Sequence, residues 1–331
     1  MNDSQVKTST MTDSNHALDN LKNIDGRVAI VGSMNADYTV RTERLPLPGE
    51  TINGSQLDIL PGGKSSNQAA SAALLGAQVG MFGALGNDYN GEFLESKLRG
   101  AGVDTSHIAR VDGPSGTTVI TVSESDGENT IVYSAGANHK VTSDYVREHA
   151  SDLTSYTVLG LCLESPMDAV IEAARTAHRA GMTVLLNDSP FMANLPTELV
   201  ENVDVLLANE HEIAQIAHLD PDTDWLHADW GQVAQALSNL GFTRVIVTLG
   251  SVGSVVLDNG EVSHIDAVRV SAVDTTGCGD SYMGTVLAGL ASGFTLDDSA
   301  RMAAFVSAYA ACGYGAQASY GTAQQVGDFF A

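Results

Sequence analysis

The chain has 331 residues, enough for one large α/β domain with an appended element, and its 44% of hydrophobic residues can build a sizeable core. Its 16 Lys and Arg against 40 Asp and Glu give a formal charge of −24, which argues against nucleic acid or an anionic membrane surface as partner. The three cysteines lack the spacing of a metal site, which favours a reduced, cytoplasmic setting. We find no apolar run near the roughly 18 residues that a membrane helix needs.

The chain begins with a polar stretch, residues 1–26, which lacks the apolar centre of a signal peptide and is predicted to be a disordered tail. From residue 27 to 331, helical patterns alternate with short apolar runs at 27–34, 79–85, 156–163, 182–188, 203–210 and 244–250. Such uniformly apolar runs are typical of parallel strands that helices cover on both faces. The sequence therefore predicts one α/β domain with a mostly parallel central sheet.

Two segments, residues 37–61 and 114–136, interrupt this pattern with alternating polar and apolar residues. In the second, Asp126-Gly127 separates two alternating runs, which is a hairpin signal. We predict that these segments form a small antiparallel β lid inserted into the α/β domain. Because the open edges of such strands pair readily with other strands, we also expect a homodimer formed through the lid.

The stretch PGGKSSNQAA, residues 61–70, resembles the end of an ATP-binding P-loop. A P-loop would need a glycine at position 58, where Asp58 would instead repel phosphate, so this interpretation fails. Two others stay open on the residues alone. The bare backbone at Gly62 and Gly63, followed by a helix with Asn67 in its first turn, suits a neutral polyol such as a sugar, or it is only a tight turn into a helix.

The strongest chemical signal is VDTTGCGDSYMG, residues 273–284, at the start of a predicted helix. Gly277 and Gly279 leave the N–H groups of the helix start open, and the helix dipole favours an anion there. Asp280 either caps the helix or, beside a bound phosphate, takes a proton from an attacking hydroxyl. The Cys278 thiol, at a helix N-terminus, is expected to have a lowered pKa.

These motifs resemble those of the ribokinase-like carbohydrate kinases, the PfkB family. DTTGCGD is similar to the family's C-terminal signature, DTxGAGD, and GSMNADYTV, LPLPGET and PGGKSSNQAA resemble its N-terminal one. GALGNDYNGEF, SAGAN, LCLESP, ANE and VTLGSVG follow in the family's order, so the resemblance covers residues 27–331. It implies an α/β kinase that transfers a phosphate from ATP to a sugar hydroxyl, and LESP and GAQAS favour D-ribose, giving D-ribose 5-phosphate.

The resemblance also implies roles for single residues. Asp280 would be the catalytic base, and the amides of Gly277, Cys278 and Gly279 would form an anion hole for the transferred phosphate. The sugar would be bound by Asn35, Ala36, Asp37, Gly63, Lys64, Ser65, Ser66, Asn67, Glu164 and Asp280. The nucleotide would be bound by Asn209, Thr248, Leu249, Gly250, Ser251, Val252, Gly253 and Gly279.

The implied cofactors are ATP, Mg²⁺ and a monovalent cation, K⁺. Asn209 and Glu210 match the start of the family's Asn-x-x-Glu motif, and Glu210 would hold Mg²⁺ through water. K⁺ would lie near the anion hole, at Asp274, Thr276, Ala310, Gly313, Gly315 and Ser319. Ser65-Ser66 replaces the family's usual Gly-Ala, and we expect the two hydroxymethyl groups beside the sugar to alter selectivity.

Two alternatives stay open. The first is a related kinase for a nucleoside or for another sugar such as fructose. The second is a sugar-binding protein without catalytic activity. A nucleoside needs an apolar or aromatic slot for its base, and the predicted lid offers Leu57, Ile59, Ile120 and Val122 but few aromatic residues, which favours a small free sugar. The presence of both Asp280 and the glycines argues against loss of catalysis.

Overall fold

The computed structural model describes residues 11–220 and 223–331. The strands in these ranges are β1 (Arg27–Val31), β2 (Asn35–Thr42), β3 (Asp58–Gly62), β4 (Gln78–Gly86), β5 (Ile108–Val111), β6 (Gly116–Ser123), β7 (Asn129–Ser134), β8 (Val158–Leu161), β9 (Thr183–Asn187), β10 (Val205–Asn209), β11 (Arg244–Thr248), β12 (Gly253–Asp258) and β13 (Glu261–Asp266). The helices are α1 (Met11–Leu21), α2 (Lys64–Leu74), α3 (Tyr89–Gly100), α4 (Ser143–Glu148), α5 (Ala150–Leu153), α6 (Met167–Arg179), α7 (Thr197–Val200), α8 (Glu210–Ile216), α9 (Trp230–Asn239), α10 (Cys278–Ala291), α11 (Leu296–Ala310) and α12 (Ala323–Phe330). Short 3₁₀ turns lie at Gly136–Lys140, Gly250–Val252 and Gln317–Ser319.

Nine of the described strands form the central sheet, in the order β13-β12-β11-β10-β9-β8-β1-β4-β5. Neighbours from β5 to β11 pair in parallel, and β12 and β13 add an antiparallel edge. Side chains of β1 alternate between two cores, with Val28 and Ile30 on one face and Ala29 and Val31 on the other. This double burial explains the uniformly apolar runs, and the predicted mostly parallel sheet is confirmed.

Helices cover both faces of the central sheet. Residues of α1, α2, α10, α11 and α12 pack on one face, and residues of α4, α6, α7, α8 and α9 pack on the other. Helix α10 touches both α2 and α11, and glycines make this close approach possible. A Cβ on Gly284 would lie 2.6 Å from the Gln68 carbonyl oxygen, and one on Gly289 would lie 2.5 Å from Ser299 Oγ. None of the helices in the described ranges is both long enough and apolar enough to cross a bilayer.

A second sheet has the order β3-β2-β6-β7, and its strands come from the two segments predicted to form a lid. The outer pairs are antiparallel, and Gly127, in the left-handed region with φ +78°, turns the chain between β6 and β7. The predicted antiparallel lid is confirmed in these outer pairs, whereas the central pair, β2 and β6, is parallel. The reason is topological: β2 follows β1 and β6 follows β5. Because β1, β4 and β5 are parallel, β1 and β5 end at the same edge of the central sheet, so β2 and β6 leave that edge in the same direction.

The predicted disordered tail is wrong for residues 11–26, and residues 1–10 lie outside the described part of the chain. Helix α1 packs against α11 and α12, with Ala17 and Leu21 buried in the core, and Ile24, just after the helix, is buried there as well. The amides of Asp25 and Gly26 then donate to Ser292 Oγ, at 3.1 and 3.0 Å. Ala17 and Leu21 lie one turn apart on α1 and Ile24 follows its end, so the apolar pattern is too short to stand out among the polar residues around it.

Candidate active site

The candidate site lies at the carboxyl edge of the central sheet, where β1 sits between β4 and β8. Ligands of α/β proteins bind at such a point because successive connections leave it in opposite directions. Several polar residues follow or end neighbouring strands at this edge: Glu164 after β8, Asp188 after β9, Asn209 at the end of β10 and Thr248 at the end of β11. The N-termini of α2 and α10 complete the site, because these two helices pack together.

Asp280 is buried in the first turn of α10, and α2 holds its carboxylate by two amides. Asn67 Nδ2 donates to Oδ2 at 2.9 Å, and Gln68 Nε2 donates to Oδ1 at 3.3 Å. Burial raises the pKa of Asp280, and the nearby Glu164 raises it further, against the opposing effect of Lys64 and the two amides. A carboxylate with a raised pKa is a stronger proton acceptor, which suits a general base.

Lys64 and Glu164 join α2 to the loop after β8. The Lys64 amide donates to Glu164 Oε2 at 3.0 Å, and the Ser33 hydroxyl donates to the same oxygen. The Lys64 ammonium lies among the carboxylates of Asp280, Glu164 and Glu212. Burial alone would lower the pKa of Lys64, but these carboxylates outweigh burial and raise it, so the side chain is a positive charge inside an acidic cleft.

Asp37 extends from the lid towards the site. Residues paired across a sheet project from the same face, so Asp37 shares a face with Thr118 and Tyr133. Its carboxylate lies against Gly62, where a Cβ would come within 1.9 Å of Oδ2, so only glycine fits at that position. Burial raises the pKa of Asp37 to about 6, and two other carboxylates of the site add to this against a hydrogen bond with Thr118.

Asn35 is buried where β1 leads into β2, and its Oδ1 accepts from Asn138 Nδ2 at 2.8 Å. Asn138 also fixes the loop through its Oδ1, which accepts from the Met34 amide at 3.0 Å. Tyr133 links the lid to the main domain, because its hydroxyl donates to the Glu164 backbone oxygen at 3.3 Å. Our sequence reasoning did not assign roles to Asn138 or Tyr133, although Asn138 ends the SAGAN motif.

Three predicted sugar-binding residues have side chains that are buried within the protein. Ala36 is in the core. Ser65 is fully buried, with Oγ 3.0 Å from Cys162 Sγ. Ser66 donates its hydroxyl to the Gly62 carbonyl at 2.5 Å. Both hydroxyls are thus engaged within the protein, and their effect on sugar selectivity stays a prediction.

The two glycines before and within the first turn of α10 have different environments. Gly277 has φ +77°, and a Cβ there would lie 2.5 Å from Ala316 Cβ and 2.6 Å from Tyr320 Oη. A Cβ on Gly279 would meet no heavy atom within 4 Å. Glycine at 277 is thus required by the backbone and by packing, whereas Gly279 leaves open space beside the first N–H groups of the helix.

The Cys278 thiol does not have the low pKa expected from its position. Burial raises its pKa to about 11, and the carboxylates of Asp274 and Asp280 contribute to the increase. The thiol donates to the Ser307 carbonyl, with Sγ 3.6 Å from the oxygen. The Cys278 amide, one of the predicted anion-hole donors, itself donates to the Thr275 carbonyl at 3.2 Å.

Asn209 and Glu212 form the capping box of α8. Asn209 Oδ1 accepts from the Glu212 amide at 2.9 Å, and Glu212 Oε2 accepts from the Asn209 amide at 2.8 Å. Burial raises the pKa of Glu212, which faces Lys64 and lies close to Asp188. The Asn-x-x-Glu spacing of these two residues is present in the sequence, and a complete match to the motif selects Glu212 rather than Glu210.

Asp188 is a buried carboxylate that our sequence reasoning did not single out. Its Oδ1 accepts from the Met192 amide at 3.2 Å, and its Oδ2 has no hydrogen-bond partner in the structure. Burial raises the pKa of Asp188 to about 7, and Glu212 adds to the effect.

The predicted nucleotide loop, residues 248–253, connects β11 to β12 beside Asn209. Thr248 pairs in register with Asn209, and Gly250 to Val252 are exposed. Leu249 is buried in the core, so its side chain is not available to a ligand. Gly253 has φ +124°, and a Cβ there would lie 2.0 Å from the Ile265 carbonyl oxygen, so its conformation serves the hairpin.

The residues predicted to hold K⁺ lie in two loops that contact each other, at Asp274, Thr276, Ala310, Gly313, Gly315 and Ser319. Asp274 joins the loops, because Oδ1 accepts from the Thr276 amide and Oδ2 from the Gly315 amide, both at 2.9 Å. Burial alone would raise the pKa of Asp274, but these amides hold it below its ordinary value. Across residues 11–220 and 223–331, no three His, Cys, Asp or Glu side chains are grouped as metal ligands.

Known proteins resemble this chain over most of its length. The family profile described as pfkB family carbohydrate kinase matches residues 25–323. The ribokinase of Haemophilus influenzae is 31% identical over 303 residues, which is 91% of this chain and 97% of the relative. The ribokinase of Schizosaccharomyces pombe is 34% identical over 289 residues, 85% and 90% of the two chains. A deoxyribokinase of Salmonella typhi is 28% identical over 303 residues, 91% and 98% of the two chains.

Solved structures give the same result. Arabidopsis thaliana ribokinase, complexed with ribose and ATP, has a TM-score of 0.82 at 31% identity, covering 91% of this chain and 97% of the relative. A nucleoside kinase of Methanocaldococcus jannaschii has a TM-score of 0.76, covering 92% and 97%, but at 19% identity it shares the fold alone. From the family profile and from the curated relatives at 31–34% identity, we conclude that the chain belongs to the pfkB family of carbohydrate kinases.

Proposed function

We propose that this chain transfers the γ-phosphate of ATP to the primary hydroxyl of D-ribose, giving D-ribose 5-phosphate and ADP. The observation that carries the proposal is Asp280, a buried carboxylate of raised pKa next to the open approach at Gly279. Ribokinases at 31–34% identity over most of the chain support this enzyme class. The Arabidopsis relative, which binds ribose and ATP, supports the choice of substrates.

In this mechanism the sugar lies between the lid and the N-terminus of α2. The carboxylates of Asp37 and Glu164 accept hydrogen bonds from sugar hydroxyls, and Asn35 and Asn67 offer amides. A neutral polyol with several O–H groups suits such an acidic cleft better than an anionic substrate does. Tyr133, which reaches from the lid to the Glu164 carbonyl, would help to exclude water from the bound sugar.

The chemical step uses Asp280 as the base. Asp280 takes the proton of the primary hydroxyl while that oxygen bonds to the γ-phosphorus, and the bond from phosphorus to the bridging oxygen of ADP breaks. Negative charge on the transferred group is stabilised by the first N–H groups of α10 and by the Lys64 ammonium, both already in place before reaction. In phosphoryl transfer such fixed positive groups supply most of the catalysis.

The residues present also fit the two expected metal ions. For Mg²⁺, which would neutralise charge on the ATP phosphates, Glu212 is a better candidate than Glu210, because it faces Lys64 and completes the Asn-x-x-Glu spacing. Water would complete its coordination. For K⁺, the carbonyl-rich loops joined by Asp274 offer oxygen ligands, and the low pKa of that residue keeps a negative charge beside them.

The lid supports a homodimer as the assembly. Strand β7 is an edge strand whose residues are all exposed, and its Ile131 and Val132 side chains are 59% and 66% exposed. An open apolar edge favours pairing with a second copy of the same strand. The free cysteines Cys162, Cys278 and Cys312 support a reducing, cytoplasmic location.

A coupled assay of ADP release tests the proposal with D-ribose, 2-deoxyribose, fructose and adenosine, each with K⁺ and with Na⁺. We expect D-ribose to have the highest kcat/KM, and K⁺ to support the higher rate. Asp280→Asn, which keeps the size of the side chain, should lower kcat by about 10²–10⁴. Faster turnover of fructose or adenosine would overturn the choice of sugar, and an active Asp280→Asn variant would overturn the mechanism.

A further inference from the structure

Gln317 is connected to Asp280 through hydrogen bonds with Asn67, and Gln317 has no role in the proposed mechanism. Gln317 begins the 3₁₀ turn Gln317–Ser319, in the loop that carries Gly313, Gly315 and Ser319 of the predicted K⁺ site. Its Nε2 donates to Asn67 Oδ1 at 3.0 Å and to Ser66 Oγ at 3.2 Å. Asn67 Nδ2 in turn donates to Asp280 Oδ2 at 2.9 Å. The base is thus the last member of a chain that begins outside the reaction centre.

The direction of each hydrogen bond in this series is fixed by the Gly62 carbonyl, which lies at the end opposite Asp280. The Gly62 carbonyl can only accept, so the Ser66 hydroxyl donates to it and presents a lone pair to Gln317. Gln317 must therefore turn its NH₂ group, not its oxygen, towards Ser66, and the same NH₂ group meets Asn67. Asn67 consequently presents its oxygen to Gln317 and its NH₂ group to Asp280.

The orientation of the Asn67 amide matters because its two ends are nearly equal in shape and opposite in hydrogen bonding. With the NH₂ group towards Asp280, the amide stabilises the ionised carboxylate. With the oxygen towards Asp280, it would stabilise the protonated acid, which cannot act as a base. A group that selects between the two orientations therefore controls the state of the base without touching the substrate.

We propose that Gln317 is a positioning residue that holds the Asn67 amide with its NH₂ group on Asp280, and so keeps the base ready to accept a proton. The inference rests on the proposed function, because it assigns Asp280 to proton transfer. Ser66 gains a role in the same chain: its hydroxyl sets the direction of all the following bonds, which the alanine usual at this position cannot do.

The test compares Gln317→Met, which removes the donor, and Gln317→Glu, which offers an acceptor to Asn67, with the control Gln324→Met at an exposed glutamine of α12. The charged and titratable groups that face Asp280 stay unchanged in all three: Lys64, Glu164, Asp37, Cys278 and Tyr320. Gln317→Met adds no charge, so a change in the titration of Asp280 in that variant is attributable to the amide chain; in Gln317→Glu the new carboxylate adds a charge effect in the same direction.

Gln317→Met removes the support for about one hydrogen bond to the charged Asp280 carboxylate. We therefore expect kcat to fall about tenfold near neutral pH. The acidic limb of the kcat/KM profile should move upward by roughly one pH unit. Gln317→Glu should shift the limb further, KM for ATP should change little in either variant, and Gln324→Met should match the wild type. An acidic limb that stays in place in both Gln317 variants, whatever their kcat, overturns the proposal.

A second readout does not depend on turnover. The ¹³C NMR signal of the Asp280 carboxyl group, assigned with Asp280→Asn, should titrate at higher pH in Gln317→Met than in the wild type. If ribose is not phosphorylated but the titration shifts, the positioning role stands and the proposed function falls. If turnover is normal and the titration is unchanged, the positioning role falls alone. Should Gln317→Met not fold, Ser66→Ala serves instead, and no upward shift in that variant counts against the proposal.

Discussion

The two glycines around Cys278 should respond in opposite ways to the addition of one methyl group. In Gly279→Ala the new Cβ meets no heavy atom within 4 Å, and alanine suits a helix better than glycine. The free energy of unfolding should therefore stay the same or rise by up to about 1 kcal/mol. The same methyl occupies the space beside the first N–H groups of α10, so kcat should fall by about 10²–10³, the usual cost of losing one donor of this kind.

Gly277→Ala is the matched variant. An alanine at position 277 must adopt φ +77°, which costs about 1–2 kcal/mol. Its methyl group would also lie 2.5 Å from Ala316 Cβ and 2.6 Å from Tyr320 Oη, and this overpacking costs about 1–3 kcal/mol more. We expect a loss of about 2–5 kcal/mol in the free energy of unfolding. Urea unfolding and the ADP-release assay measure both effects. A Gly279→Ala enzyme with wild-type kcat/KM for ATP would refute the view that the phosphate approaches these amides.

Three further predictions concern ionisation. Because burial raises the pKa of Asp37 to about 6, KM for ribose should rise severalfold below that pH while KM for ATP does not, and Asp37→Asn should remove this dependence. The pKa of Asp188 is raised to about 7, so the folded state binds more protons than the unfolded state between about pH 4 and 7, and stability falls as the pH rises through this window. Asp188→Asn should therefore raise Tm by a few degrees at pH 8 and leave it unchanged near pH 4; an equal gain at both values would contradict the assignment. With a pKa of about 11, Cys278 should react with iodoacetamide far more slowly at pH 7 than a free thiol does, and Cys278→Ala should keep most of kcat; fast labelling of Cys278 in the folded enzyme would disprove this.

The sequence predicted the central sheet and the start of α10 because their signals are local. Apolar runs such as residues 244–250 show burial directly, and the glycines beside Asp280 show an open helix N-terminus. Helix α1 was missed because the apolar residues that it is seen to bury, Ala17 and Leu21, stand among polar ones. The parallel pairing of β2 with β6 was missed because it depends on where two distant segments leave the central sheet.

The sequence named several residues of the candidate site, but it did not predict the hydrogen bonds between them. Asn67 and Asp280 were both named, but their hydrogen bond joins positions 213 residues apart and requires α2 and α10 to approach at Gly284. The orientation of Ser65 into the core also depends on tertiary packing, against Cys162. Glu212 is different, because its motif spacing is local and could have been read from the sequence.

The attachment of Asp37 to the lid has a consequence for how turnover ends. In the proposed function, β2 both covers the sugar and carries Asp37, which binds it, so the product would leave only after the contact with Asp37 is broken. Opening of the lid would break the contact between Asp37 and the sugar, and we expect this same contact to slow the release of the phosphorylated sugar.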